Sequence, residues 1–346
     1  VHSRDGALTA VGQSATILGC AGPVLGADEA AFFAATQPWG FILFARNIET
    51  PEQVRQLTRA LRDAVGRDAP ILIDQEGGRV QRMWPPHWRA WRPALDQVME
   101  AGPAGAARSM YLRSRLIAAE LRDVGIDVNC APLADVARDK THPFLKNRLY
   151  GFKPDAVVGV ARAVAEGLLV GGVLPVLKHI PGHGDSTVDS HLDLPRVAAG
   201  RDALTSTDFA PFAALCDLPM GMTAHLVYDA LDPDLPATFS PVMIALIREQ
   251  IGFQGLLMTD DLSMGALPGP IGERATRAIA AGVDVILHCN GDMAEMEAVV
   301  TAAGGLSVLA VRRADAALAA RGAPLPLDIA GAEAELDALL RGQVYV

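Results

Sequence analysis

Cysteine is scarce in this chain, and what there is shows no pattern. Cys20, Cys130, Cys216 and Cys289 lie far apart, each within or beside an apolar run, with no Cys-x-x-Cys pair and no Cys/His ligand spacing. Such a distribution argues against a disulfide framework or a zinc site and favours four reduced, mostly buried thiols. Basic runs are also missing. Thirty Lys and Arg stand against forty Asp and Glu, a formal charge of −10, and no stretch would track a phosphate backbone, so nucleic acid is not the expected partner. No run of about eighteen apolar residues occurs, and the opening VHSRDGALTAVGQ holds no apolar signal stretch. No membrane association is expected, and the expected location is reducing and cytoplasmic. Without a low-complexity linker, residues 1–346 read as a single domain. Its oligomeric state stays open, with a monomer favoured.

What is present is apolar: half of the 346 residues, enough for a large core. Short apolar runs alternate with longer helical patterns. Eight runs read as strands: 14–21, 40–46, 70–75, 127–132, 173–179, 220–227, 255–260 and 283–289. Most are continuous rather than alternating, as expected of parallel strands covered on both faces. Helical patterns fall at 51–66, 104–124, 154–170, 240–251 and 272–281. Thr50 is the expected N-cap of the first of these, Pro51 its first residue and Gly66 its stop; Gly125, Gly252 and Gly282 stand where left-handed caps are needed. Eight βα units point to an α/β fold of the TIM type, a single (β/α)8 barrel, rather than an open sheet. Residues 307–342 read as two Ala/Leu-rich helices packed outside it.

Barrel enzymes place reactive groups at the C-terminal ends of their strands. Here those ends carry Arg46-Asn47, Asp74-Gln75-Glu76 with Arg79 and Arg82, Asp135, Lys178-His179, His225, Asp260-Asp261 and His288. The segment 178–195, KHIPGHGDSTVDSHLDLP, packs three His, three Asp and one Lys into eighteen residues. A loop so polar and so long after a barrel strand points to function.

This segment resembles the K-H-x-P-G-H-G-x-x-x-x-D-S-H signature of the bacterial β-N-acetylglucosaminidases of glycoside hydrolase family three, of the NagZ type. IDQEGGRVQR (73–82) and MTDDLSM (258–264) are similar to two further signatures of that family, in the same chain order. The resemblance implies a retaining, exo-acting β-N-acetylhexosaminidase without cofactor or metal. Its implied substrate is a small amino sugar or muropeptide: terminal β-linked N-acetylglucosamine on 1,6-anhydro-N-acetylmuramoyl peptides, met in cell-wall recycling. It implies Asp260 as the nucleophile, His191 as acid/base with Asp189 beside it, and Asp74, Arg82, Arg148 (in KNRLYG), Lys178 and His179 as holders of the terminal sugar.

The residues suit those roles chemically. A carboxylate facing the anomeric carbon stabilises an oxocarbenium-like state and can bond to it. An imidazole titrating near neutrality can give and retake the leaving-group proton, and an Asp two residues away can fix its tautomer. Charged side chains make the stronger hydrogen bonds to hydroxyls. Asp261 is the alternative nucleophile, though its place in the motif favours Asp260. His183 and Asp185 are read as shaping the loop, and His225 and His288 as strand-end histidines or pocket walls. Glu76 is read as structural, Gly77-Gly78 as a turn or a close approach to sugar, and Trp84, Trp88 and Trp91 as packing. Three rivals remain. One is a metal-dependent barrel hydrolase ligated by His179, His183, Asp185, His191, His225 and Asp260, against which stand the lack of a His-x-His pair in strand one and of an HExxH helix. The others are a non-enzymatic sugar-binding barrel and a β-glucosidase of the same family.

Overall fold

The helix Pro51–Val65 forms as its sequence dictates. Thr50 Oγ1 accepts the Gln53 N–H at 3.2 Å, Pro51 opens the first turn, and Gly66 closes the last at φ 65°. Its stripe of Val54, Leu57, Leu61 and Val65 is buried. The same unit, strand then amphipathic helix, recurs along the chain. The computed structural model describes residues 12–184 and 194–340. Within them run eight parallel strands: β1 (Ser14–Gly19), β2 (Pro38–Leu43), β3 (Ile71–Ile73), β4 (Val128–Asn129), β5 (Leu174–Ile180), β6 (Met220–Thr223), β7 (Leu256–Met258) and β8 (Ile286–His288).

From β1 to β7 each strand pairs with the next in the chain, and β8 returns to β1 through Thr16↔Ile286, Ile17↔Leu287 and Leu18↔His288. The ring closes between β7 and β8 by the bridge Met258↔Val285, where Thr259 N donates to Val285 O at 3.1 Å. This is the (β/α)8 barrel expected from the sequence. A two-residue pair, Arg196–Val197 with Val227–Tyr228, lies apart from it.

The helix expected over 104–124 is the second half of a longer one, Ala94–Asp123, broken at Gly102 (φ 66°, ψ 174°) just before Pro103. The helix Ala27–Thr36 has no counterpart among the sequence expectations.

The barrel interior is filled by Ile17, Ile42, Leu72, Val128, Val176 and Met222 among others. Ala314 and Ala317 of the helix Val308–Ala319 pack into the same cluster, so this helix closes the floor of the barrel. Charge fixes it there, at the N-terminal ends of the strands. Arg313 meets Asp284 at 2.8 Å, and Arg321 reaches Asp68 at 2.6 Å and Asp127. The last helix, Ile329–Leu339, lies outside against Ala94–Asp123, with Arg108 and Glu335 paired at 2.6 Å. A plugged floor leaves the C-terminal face as the open end. No helix among the described residues is long and apolar enough to cross a membrane.

Candidate active site

Lys178, on β5, is 2% exposed and lies between two carboxylates from beyond the end of β3. Its Nζ is 2.9 Å from Asp74 Oδ1 and 2.6 Å from Glu76 Oε1. Arg82 donates to Asp74 Oδ2 at 3.1 Å, and Arg148 grips Glu76 with two bonds, of 2.9 and 2.8 Å. Burial alone would raise both carboxyl pKa values. Lys178 and Arg82 around Asp74, and Arg148 and Lys178 around Glu76, overcome it and hold both below the usual range. Lys178 moves the other way: burial opposes its charge, but Asp74 and Glu76 raise its pKa. The result is a fixed lattice of charged donors and acceptors, suited to hydroxyls that need both.

A second group gathers around Asp135, which follows β4. Its Oδ2 is 2.8 Å from His179 Nδ1, and its Oδ1 accepts the His183 N–H at 2.6 Å. The two imidazoles meet edge to face, with centroids 5.6 Å apart. Burial, and then the neighbouring His179, lowers the His183 pKa from 6.5 to about 4.

Beyond β7, Asp260 and Asp261 differ in what holds them. Asp261 Oδ1 accepts the N–H groups of Ser263 (3.0 Å) and Cys289 (3.2 Å), and its Oδ2 accepts the Ser263 hydroxyl (2.5 Å). Asp260 Oδ1 accepts the Asp261 N–H at 2.8 Å, while its Oδ2 takes no hydrogen bond from any described residue. Burial would raise the Asp260 pKa, but His179 and His225 nearby lower it, so the carboxylate is anionic. His225 is fixed by Thr238 Oγ1 (2.8 Å) and the Asp261 carbonyl (3.1 Å).

These residues surround one cavity of about 360 Å³, at the small end of ligand pockets, which run from about 300 to 1,000 Å³. Asp74, Arg82, Arg148, Lys178, His179 and Asp260, drawn from three strand ends and the loop after β4, all line it. His183 and Asp261 line it as well; Glu76 stands behind the wall. His191, Asp189 and Asp185 lie outside the described residues. Among the described residues no three His, Cys, Asp or Glu are grouped to hold a metal ion.

The apolar walls were not legible beforehand. Phe44, Phe144, Leu145 and Met264 line the cavity, yet in the sequence they look like core. Arg113 was also missed. It is buried in the helix Ala94–Asp123 and donates to the carbonyls of Arg92 (2.9 Å) and Glu76, and to Gln97 Oε1 (2.8 Å). A lone Arg in an amphipathic helix gives no sequence signal of such a role. A Cβ on Gly77 (φ 100°) would lie 1.7 Å from Arg113 Nη2, and one on Gly78 (φ 58°) 2.9 Å from Pro93 Cα, so the glycines serve a turn packed against protein. Trp88 and Trp91 are buried in the core; Trp84 is half exposed, its Nε1 donating to the Gln81 carbonyl at 3.0 Å. All four cysteines are free thiols, and burial pushes the Cys20 pKa up to about 12.

Comparison with known proteins adds the following. The glycosyl hydrolase family 3 N terminal domain matches residues 25–319. A protein named beta-hexosaminidase from Alkalilimnicola ehrlichii is 39% identical over 280 residues, 79% of this chain and 80% of its own length. Another of that name, from Methylococcus capsulatus, is 38% identical over 274 residues, 78% of this chain and 80% of its own. NagZ from Neisseria gonorrhoeae, solved in complex with N-trifluoroacetyl-D-glucosamine, superposes with a TM-score of 0.84 at 28% identity, covering 95% of this chain and 98% of that one. A family 3 beta-N-acetylglucosaminidase from Paenibacillus sp. gives a TM-score of 0.84 at 28% identity over 94% of this chain; the match spans 66% of that longer protein.

Proposed function

The chain belongs to glycosyl hydrolase family 3, and from that premise we propose that it is a retaining, exo-acting β-N-acetylhexosaminidase that removes terminal β-linked N-acetylglucosamine. The observation that carries this reading is the asymmetry of the paired aspartates. Asp260 presents an anionic oxygen with no hydrogen bond from any described residue, in a small cavity walled by Asp74, Arg82, Lys178 and His179. A nucleophile needs such an oxygen; Asp261, engaged at both oxygens, lacks one.

In this mechanism Asp260 Oδ2 bonds to the anomeric carbon as the glycosidic C–O bond breaks. His191, as imidazolium paired with Asp189, gives its proton to the departing oxygen. Water then attacks the same carbon, His191 takes the proton back, and the sugar leaves with Asp260 restored. Asp74, Arg82, Arg148, Lys178 and His179 hold the sugar's hydroxyls, and no cofactor or metal takes part. The natural substrate class proposed is 1,6-anhydro-N-acetylmuramoyl peptides bearing N-acetylglucosamine, handled in the cytoplasm.

The test compares release of nitrophenol from the β-N-acetylglucosaminide and from the β-glucoside. A kcat/KM at least about a hundredfold higher for the former is expected, a gap of about 2.8 kcal/mol in transition-state binding. Equal rates would support a β-glucosidase instead. Activity abolished by EDTA and restored by zinc would support the metal-dependent rival.

A further inference from the structure

The cations around the cavity are not alike. Arg82 is tied to Asp74, Arg148 to Glu76, and Lys178 to both carboxylates. Arg79 lines the same cavity and is exposed, and among the described residues it has no hydrogen bond and no ion pair. Its guanidinium carbon lies 3.9 Å from the centroid of the Phe144 ring, a cation–π contact that seats the group. The backbone puts it there. Gly77–Val80 is a tight turn in which Val80 N donates to Gly77 O at 3.3 Å and Gly77 N to Val80 O at 3.0 Å, with Arg79 at the tip.

Beside Phe144 stands a second donor. His142, half buried, also lines the cavity. Its Nδ1 accepts the Phe144 N–H at 3.2 Å, so in the neutral ring the proton sits on Nε2, a donor. One permanent charge on a forked donor, with an imidazole N–H beside it, matches an anion such as a carboxylate. Every sugar-holding cation is paired with a carboxylate, whereas Arg79 is exposed and has none among the described residues, so its charge faces whatever lies outside the sugar.

We infer that Arg79, seated on Phe144 and aided by His142, is a specificity-determining residue of the aglycone side of the cavity that selects leaving groups carrying a carboxylate. The inference rests on the proposed β-N-acetylhexosaminidase reading and names the chemistry of that substrate's other half. An exposed ion pair is modest in strength and is screened by salt.

The test uses two nitrophenyl β-N-acetylglucosaminides that differ only in a carboxylate or a carboxamide on the aromatic ring. The full chain should show a kcat/KM ratio favouring the carboxylate by about fivefold at low salt, shrinking toward one as salt rises. In Arg79→Gln the ratio should fall to about one at any salt, and in Arg79→Lys it should recover in part. Because each protein is read as a ratio, a general loss of activity cancels. A wild-type ratio near one, or a preference that survives in Arg79→Gln, overturns the inference while leaving the hexosaminidase reading intact. Release from neither compound overturns both.

Discussion

Glu76 stands behind the cavity wall, yet it organises what faces the cavity. Its two oxygens take Arg148 and Lys178, both buried, and Lys178 in turn reaches Asp74. Read from the sequence alone it is a structural residue; the structure makes it the counter-charge that sets two of the proposed sugar-holding cations. Glu76→Gln keeps the shape and removes the charge, leaving two buried cations short of a partner. Breaking a buried ion pair costs about 3–5 kcal/mol, and the retained amide bonds place this variant near the lower end. Urea melts should therefore show a loss of about 3 kcal/mol, with KM for an aryl β-N-acetylglucosaminide raised about tenfold or more. A loss under about 0.5 kcal/mol, typical of a neutral surface change, with an unchanged KM would mean that the network is held by Asp74 alone.

At the scale of elements, the site is built by short connections that rigid parts press into shape. The turn Gly77–Val80 is squeezed between Arg113 and Pro93, and Gln75 Oε1 accepts the N–H groups of Arg82 (2.9 Å) and Met83 (3.1 Å), tying the far side of the loop to β3. Gly77→Ala must meet both a positive φ and the Arg113 guanidinium, whereas Gly66→Ala meets a positive φ with nothing within 4 Å. The positive φ strains both, so the first should cost about 1–3 kcal/mol more than the second, the usual cost of forcing an extra carbon into packed protein. Only the first should reduce turnover. Equal melting temperatures and equal activities for the two would show that Arg113 yields freely. The sequence made the glycines visible but not their neighbours. Arg113 arrives from a helix whose first half the reading missed, because Gly102 and Pro103 interrupt its pattern and the stretch before them looks like loop. The turn chemistry was local and legible; the pressure upon it comes from residues distant in the chain.

For the whole molecule, eight apolar runs, most of them continuous, alternating with helical patterns were enough to expect a closed barrel, and the β8–β1 pairing with the β7–β8 bridge closes it. The floor was less visible. Ala314 and Ala317 reach the barrel interior because small side chains let their helix approach closely, and an Ala-rich pattern does not say which surface it faces. Seven of the polar positions singled out from strand-end sequence surround one cavity, since all eight strands point the same way. The aromatic and aliphatic walls were not, since Phe44, Phe144 and Met264 carry no signal that separates wall from core. The central claim is that Asp260 becomes covalently bound to the sugar. It is tested most directly by incubating the full chain with a slow 5-fluoro-N-acetylglucosaminyl fluoride, then digesting it and locating the adduct by mass spectrometry. The account predicts one fluorosugar on the peptide containing MTDDLSM, attached to Asp260, and none in Asp260→Ala. Attachment to Asp261, or recovery of a sugar oxazoline from unlabelled protein, would contradict it.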